Sequence, residues 1–277
     1  RYLKAGQCVA IFPEGTRTFD GRTNPIKPAT AKLVKMGRCN LVTIGYKGGY
    51  FVEPKWAKNW RKGPITSDLK IYTKEEIATM SVDEIYQHIT DDLIFDAQDY
   101  QDEHQFEYNG KNLAEGIENA LFMCPKCHKF ETLKADGDKF YCPECGFEAI
   151  IDNKGYVHSE LPMTKFREYY DAQKKALDEM PLEEMHFENS ESILDVVKGK
   201  KHKTILATKG KLVVDQEGLH INEYNFLFKD IINIELVDAG NKMLFSVGDE
   251  YYELYSAHLS GLLYSFIFER AKTNDKE

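Results

Sequence analysis

Two short apolar runs, Gln7–Phe12 and Leu41–Tyr46, flank a helical stretch near the start of the chain. Runs of this length, the first ending at Pro13, read as strands buried on both faces of an α/β sheet. Between them, Pro28 suits a first helical position, Gly37 suits a helix end, and residues 28–36 are helical in composition. Strand, loop, helix and strand predict a βαβ unit. Its ligand-binding loop would be Pro13–Lys27, beyond the carboxyl end of the first strand.

Further along, Thr73-Lys-Glu-Glu76 and Ser81-Val-Asp-Glu84 have the form of capping boxes, opening helices that run toward Tyr100. Asp99–Gly110 turns polar and acidic and reads as a linker. Thr164 opens a charged helix over Lys165–Glu179, closed by Pro181. From Met185 to Ser256, short alternating runs with glycine-containing turns predict antiparallel strands. Leu259–Ala271 reads as one amphipathic helix. The expected division is 1–110, an α/β portion; 111–160, a metal ribbon; 161–184, a linker helix; and 185–277, a small antiparallel β domain with a C-terminal helix. That last arrangement resembles a pleckstrin-homology-like domain.

Composition changes this picture in three places. No apolar run reaches eighteen residues, so no segment of the sequence reads as a bilayer span. The net charge of −9 is uneven, because residues 1–72 hold 14 Lys and Arg against 4 Asp and Glu. The remainder is correspondingly acidic. A basic first portion suits an anionic partner, although a lysine-rich solvated surface gives the same balance. Four of the six cysteines form two Cys-x-x-Cys pairs, a pattern for a metal site in a reducing compartment rather than for a disulfide framework.

Candidate chemistry begins at Phe12-Pro-Glu14-Gly15-Thr16-Arg17. The turn sets a carboxylate, a flexible glycine, a hydroxyl and a guanidinium after an apolar run. Arg17 offers a planar fork of donors suited to phosphate, and Arg22 and Lys27 follow in the same loop. An ordinary turn with a Glu14–Arg17 ion pair is the bland alternative. The hexapeptide resembles the third motif block of the glycerol-phosphate and lysophosphatidic acid acyltransferase family.

The resemblance covers about residues 5–100. It implies that Glu14 and Arg17 hold the phosphate and glycerol of the acyl acceptor while Gly15 and Thr16 shape the turn. It also implies an acyl thioester donor (acyl carrier protein or coenzyme A), lysophosphatidic acid as acceptor, and a cytoplasmic position at the inner face of the membrane. Where the family often has a Val-Pro-Val-like fourth block, this chain has Leu41-Val-Thr-Ile44, without the proline. The family's chemistry uses a His-x4-Asp dyad, yet no histidine here has Asp five positions later. The dyad is therefore expected before Arg1, and Arg1-Tyr-Leu-Lys4 reads as a cut inside a domain. Cys8 and Cys39 read as inert thiols. Trp56 and Trp60, among Lys55, Lys58, Arg61 and Lys62, resemble an interfacial anchor for an anionic membrane surface, or else pack on the sheet.

Cys124-Pro-Lys-Cys127 and Cys142-Pro-Glu-Cys145 stand fourteen residues apart. Two such knuckles supply four thiolates for a structural Zn²⁺, and their backbone N–H groups would offset the net charge of −2. Cys127-His128 also fits haem attachment, and either pair alone fits a redox site, but neither reading uses both pairs. Ribbons of this kind also bind nucleic acid, which the acidic residues 73–277 oppose. The fold class expected is thus α/β (a partial acyltransferase domain) plus a four-cysteine zinc ribbon plus the small antiparallel β domain. The alternatives are a non-catalytic scaffold built on the ribbon and β domain, or acylation of glycerol 3-phosphate itself or of another lysolipid.

Overall fold

The structure, a computed structural model, describes residues 2–198 and 203–274. The chain divides into two compact units. The first holds the residues up to Lys55, Trp60–Gly110 and Asn153–Gly155; the second holds Trp56–Asn59, Lys111–Asp152 and everything from Tyr156 onward. No helix among the described residues is long and apolar enough to cross a membrane.

In the first unit, α1 (Ala29–Gly37) follows Pro28 and ends where Arg38, rather than Gly37, takes the left-handed conformation at φ 48°. Next come β1 (Leu41–Lys47), the short α2 (Gly49–Val52), β2 (Thr66–Tyr72), α3 (Lys74–Thr79), α4 (Val82–Leu93) and α5 (Ala97–His104). Both expected capping boxes form. Thr73 and Ser81 accept from the backbone N–H of Glu76 and Glu84, and the two glutamates reach back to the cap N–H groups. Lys35 on α1 donates to the carbonyls of Ile77, Ala78 and Met80, occupying acceptors that the end of α3 leaves free. Ile26, Ala31, Ile77, Ile85 and Ile89 form the core beneath these helices.

Three expectations fail here. Gln7–Phe12 is neither a strand nor buried. Leu41–Lys47 pairs antiparallel with Thr66–Tyr72 in a two-stranded sheet, so the βαβ unit is not formed. A strand buried on both faces needs pairing and cover that no described strand gives to residues 7–12. One face of β1–β2 packs toward α4. The other carries Val42, Ile44, Tyr46, Leu69 and Ile71, all exposed. The segment 99–110 is not a linker either. Asp96 caps α5 by accepting from the N–H groups of Gln98 and Asp99, Gln101 is buried, and Tyr108 stacks on Phe51 at 5.1 Å. Its polar text hides that apolar anchor.

The hairpin is fastened to α4 by one carboxylate. Asp92, 3% exposed, accepts from Thr43 Oγ1 at 2.7 Å, Tyr72 Oη at 2.8 Å and Lys70 Nζ at 2.5 Å. Burial opposes its ionisation, but these three donors outweigh burial and hold the carboxyl below its ordinary 3.8.

The second unit opens with a four-stranded antiparallel ribbon: β3 (Lys134–Asp136), β4 (Lys139–Cys142), β5 (Phe147–Ile151) and β6 (Val157–Ser159). Gly137, at φ 63°, makes the β3–β4 turn that the Asp136-Gly-Asp138 text predicts. Helix α6 (Phe166–Glu179) follows. Then β7 (His186–Lys198), β8 (Lys203–Asp215), β9 (Gly218–Ile221), β10 (Tyr224–Leu227), β11 (Ile231–Val237), β12 (Lys242–Val247) and β13 (Glu250–Tyr255) lead to α7 (Gly261–Asn274). The seven strands form one curled antiparallel sheet in the order β10-β9-β8-β7-β13-β12-β11. Register shifts in β7–β8 and β11–β12 supply local bends. Leu194, Leu212, Val214, Leu219, Met243 and Leu254 lie in its core.

Asp92→Asn is expected to lower the denaturation midpoint of the first unit by an amount equivalent to about 1–3 kcal/mol. Because the folded pKa is depressed, the carboxylate's contribution is complete above the unfolded value. It is lost as pH falls through the folded one. Denaturation midpoints across acid pH should therefore fall for the native chain and flatten for the variant.

Candidate functional site

In the first unit, the chain reverses just after Phe12. Gly15 N–H donates to the Phe12 carbonyl at 3.1 Å, with Gly15 at φ 82°. A Cβ at Gly15 would stand 3.2 Å from Lys27 Nζ, so this glycine lets the ammonium lie against the turn. Lys55 Nζ donates to Thr16 Oγ1 at 3.1 Å and lies 4.7 Å from the centre of the Phe19 ring. The Asn24 side-chain amide donates to the Thr16 carbonyl at 2.9 Å. Lys27, Lys55 and Arg17 thus gather around one bend.

Glu14 and Arg17 do not pair with each other. Glu14 Oε2 accepts from the Asn24 backbone N–H at 2.9 Å and so closes the loop. Burial raises its carboxyl above the ordinary range, and the Asn24 bond only partly counters this. Arg17 Nη1 donates to the backbone carbonyl and to Oε2 of Glu53, each at 3.1 Å, while its side chain remains 61% exposed. An ion pair this exposed contributes about 0–1 kcal/mol. The guanidinium can therefore leave Glu53 at small cost for a charge-assisted, two-point bond to a phosphate.

Of the four loop residues named from sequence, Gly15, Thr16 and Arg17 present groups around the bend, and Glu14 acts as its fastener. Glu53 and Asn24 were not anticipated. Glu53 lies 36 positions from Arg17, and nothing in the local text pairs them. Of the two tryptophans, Trp56 is buried in the second unit and stacks on Phe166 at 5.5 Å, so it packs rather than anchors. Trp60, in the first unit, is 72% exposed. Cys8 is exposed and Cys39 partly so, and neither lies in an enclosed site.

The second unit holds the other site. The sulfurs of Cys124, Cys127, Cys142 and Cys145 all lie within 4.8 Å of one another, the one such cluster among the described residues. Cys124 and Cys145 approach to 3.7 Å, and Cys127 and Cys142 to 3.9 Å. Disulfide sulfurs would be about 2.05 Å apart. An ion held tetrahedrally at about 2.3 Å from each sulfur sets them about 3.8 Å apart, and the observed spacing fits that arrangement.

The knuckles supply donors to the sulfurs. Cys124 Sγ accepts from the N–H groups of Lys126 and Cys127, Cys142 Sγ from those of Glu144 and Cys145, and Cys145 Sγ from that of Phe147. Lys126 and Lys129 stand beside the cluster, each paired with a glutamate, Glu160 and Glu144, at 2.8 Å. Burial pushes the Cys124 thiol up to about 12. Burial also opposes ionisation of Cys142, but the Thr132 hydroxyl 3.3 Å away and the two backbone donors hold that thiol down to about 7. An ion held there would have protein thiols at all four positions of a tetrahedral shell, with no place left for a bound water.

No family model, curated protein or solved structure matches the chain. The functional reading therefore rests on the sites themselves.

Metal loading should divide the thiols sharply. With the ion bound, an alkylating reagent is expected to modify Cys8 and Cys39 and spare the other four. After chelation under reducing conditions all six should react, as read by intact mass. Equal labelling with and without metal would contradict the four-thiol centre.

Proposed function

We propose that the chain is part of an acyltransferase of phospholipid synthesis that forms phosphatidic acid from 1-acylglycerol 3-phosphate and an acyl thioester of acyl carrier protein or coenzyme A. The bend at Glu14-Gly-Thr-Arg17 carries this reading. Its motif resembles the acceptor-binding block of that family, and its geometry gathers three cations around one turn, with the guanidinium accessible. Arg17, Lys55 and Lys27 bind the acceptor phosphate, Thr16 adds a hydroxyl, and Glu14 holds the loop shut against Asn24. The base that deprotonates the acceptor hydroxyl is not among these residues, since no histidine here has Asp five positions on.

In the same reading the four thiols hold a structural Zn²⁺. The β domain is pleckstrin-homology-like: its strands, counted from β7, lie in the order four-three-two-one-seven-six-five, and a helix follows the last. The protein works on the cytoplasmic, anionic face of the membrane. The basic residues 1–72 and the exposed Trp60 suit that surface, and the acidic remainder disfavours nucleic acid.

Two measurements test the proposal. Calorimetry of the chain with a soluble short-chain 1-acylglycerol 3-phosphate should show saturable binding. Arg17→Ala should weaken it at least tenfold and Lys55→Ala severalfold, while the uncharged monoacylglycerol should not bind. Equal affinity of native and Arg17→Ala chains would remove the acceptor site and leave the non-catalytic scaffold reading. Elemental analysis should find about one zinc per chain; iron, haem or no metal would reject the zinc assignment.

A further inference from the structure

The first cysteine pair lies at the tip of a small hairpin, residues 122–131. Cys124 N–H donates to the Lys129 carbonyl and Glu131 N–H to the Phe122 carbonyl, with a bridge between Met123 and Phe130. The base of this hairpin meets other parts of the second unit. Phe122 sets its ring edge-on to Phe266 of α7, with centroids 6.0 Å apart. Phe130 packs on Phe187 of β7 at 5.2 Å. Tyr264 of α7, fully buried, donates its hydroxyl to Glu131 Oε1 at 2.9 Å. Gln173 of α6 accepts from the Phe122 N–H at 2.8 Å and donates to the Ala120 carbonyl at 2.7 Å.

Two hairpin residues other than glycine, His128 and Glu131, hold positive φ, at 59° and 56°. Left-handed backbone costs such residues about 1–2 kcal/mol each. Something must hold the hairpin in that form. The thiols fix its tip, and α6, α7 and β7 fix its base. Cys124 and Phe122 stand two residues apart on the same arm, so a displacement at one end reaches the other directly.

We propose that ion retention at the four thiols and the seating of the first half of α7 are one coupled equilibrium, transmitted through the hairpin 122–131. Removing the ion frees the strained tip, and the Phe122–Phe266 and Glu131–Tyr264 contacts loosen with it. The second half of α7 has its own moorings. Phe268 packs on Phe228 at 5.7 Å, Arg270 donates to the Leu177 carbonyl, and Lys272 donates to the Lys229 carbonyl. Phe266 also meets Tyr170 of α6 edge-on at 6.0 Å, so the effect is a loosening, not a release, of the half that meets the hairpin. Thermodynamic reciprocity requires the converse: weakening α7's hold on the hairpin weakens the hold on the ion.

The test uses the whole chain in two experiments. In hydrogen exchange, chelation under reducing conditions should speed the amides around residues 264–267 at least tenfold together with those of 122–131, while β7, β8 and β13 stay protected. In metal release to a chromogenic chelator, Tyr264→Phe and Phe266→Ala should each accelerate loss of the ion severalfold, and Ile232→Ala, on exposed β11, should not. Tyr264→Phe keeps the ring and serves if Phe266→Ala does not fold. Unchanged release rates in both variants would overturn the coupling. So would full protection of 264–267 after chelation, or equal loss across every strand, since the ion would then support either the ribbon alone or the entire unit.

Discussion

Four thiolates brought within 5 Å of one another repel strongly, and much of the second unit depends on how that repulsion is answered. Backbone N–H groups in both knuckles lower the cost. A divalent ion held at the centre would remove most of what remains. Once the sulfurs are fixed, the hairpin 122–131 is fixed at its tip, and its aromatic base can pack on α7 and β7. The ribbon has a core of its own in Phe140, Phe147, Ile151 and Val157, and a bound ion would add to it the fixing of the two knuckles.

The first unit solves a different electrostatic problem. Around the bend after Phe12, three cations face two carboxylates. Glu14 is committed to a backbone N–H, and Glu53 meets Arg17 only at the exposed surface. An anion entering this bend would exchange the one-nitrogen, largely exposed pair with Glu53 for a two-point bond to the guanidinium. That difference, rather than any preformed enclosure, would make the loop a binding element.

Local text was legible, and distant pairing was not. The capping boxes at Thr73 and Ser81, the helix over 166–179 and the turn at Gly137 depend on residues within four positions of each other, and they form as expected. The four-cysteine cluster was legible for the same reason, because each knuckle is a local turn and spacing brings the two together. The alternating text of residues 185–256 gave its strands, but it could not give their order. By contrast, Gln7–Phe12 has the composition of a buried strand and none of the pairing, because composition carries no information about neighbours. Asp92 and Glu53 were invisible in sequence. Their partners are Thr43, Tyr72 and Lys70 in one case and Arg17 in the other, and only folding brings them close.

A crystal structure of the chain with glycerol 3-phosphate, the headgroup of the proposed acceptor, decides whether the bend holds phosphate. The phosphate is expected at the bend, within hydrogen-bonding distance of the Arg17 guanidinium and the Lys55 ammonium, with Arg17 drawn away from Glu53. Arg17 still paired with Glu53, and the ligand held elsewhere or nowhere, would contradict it.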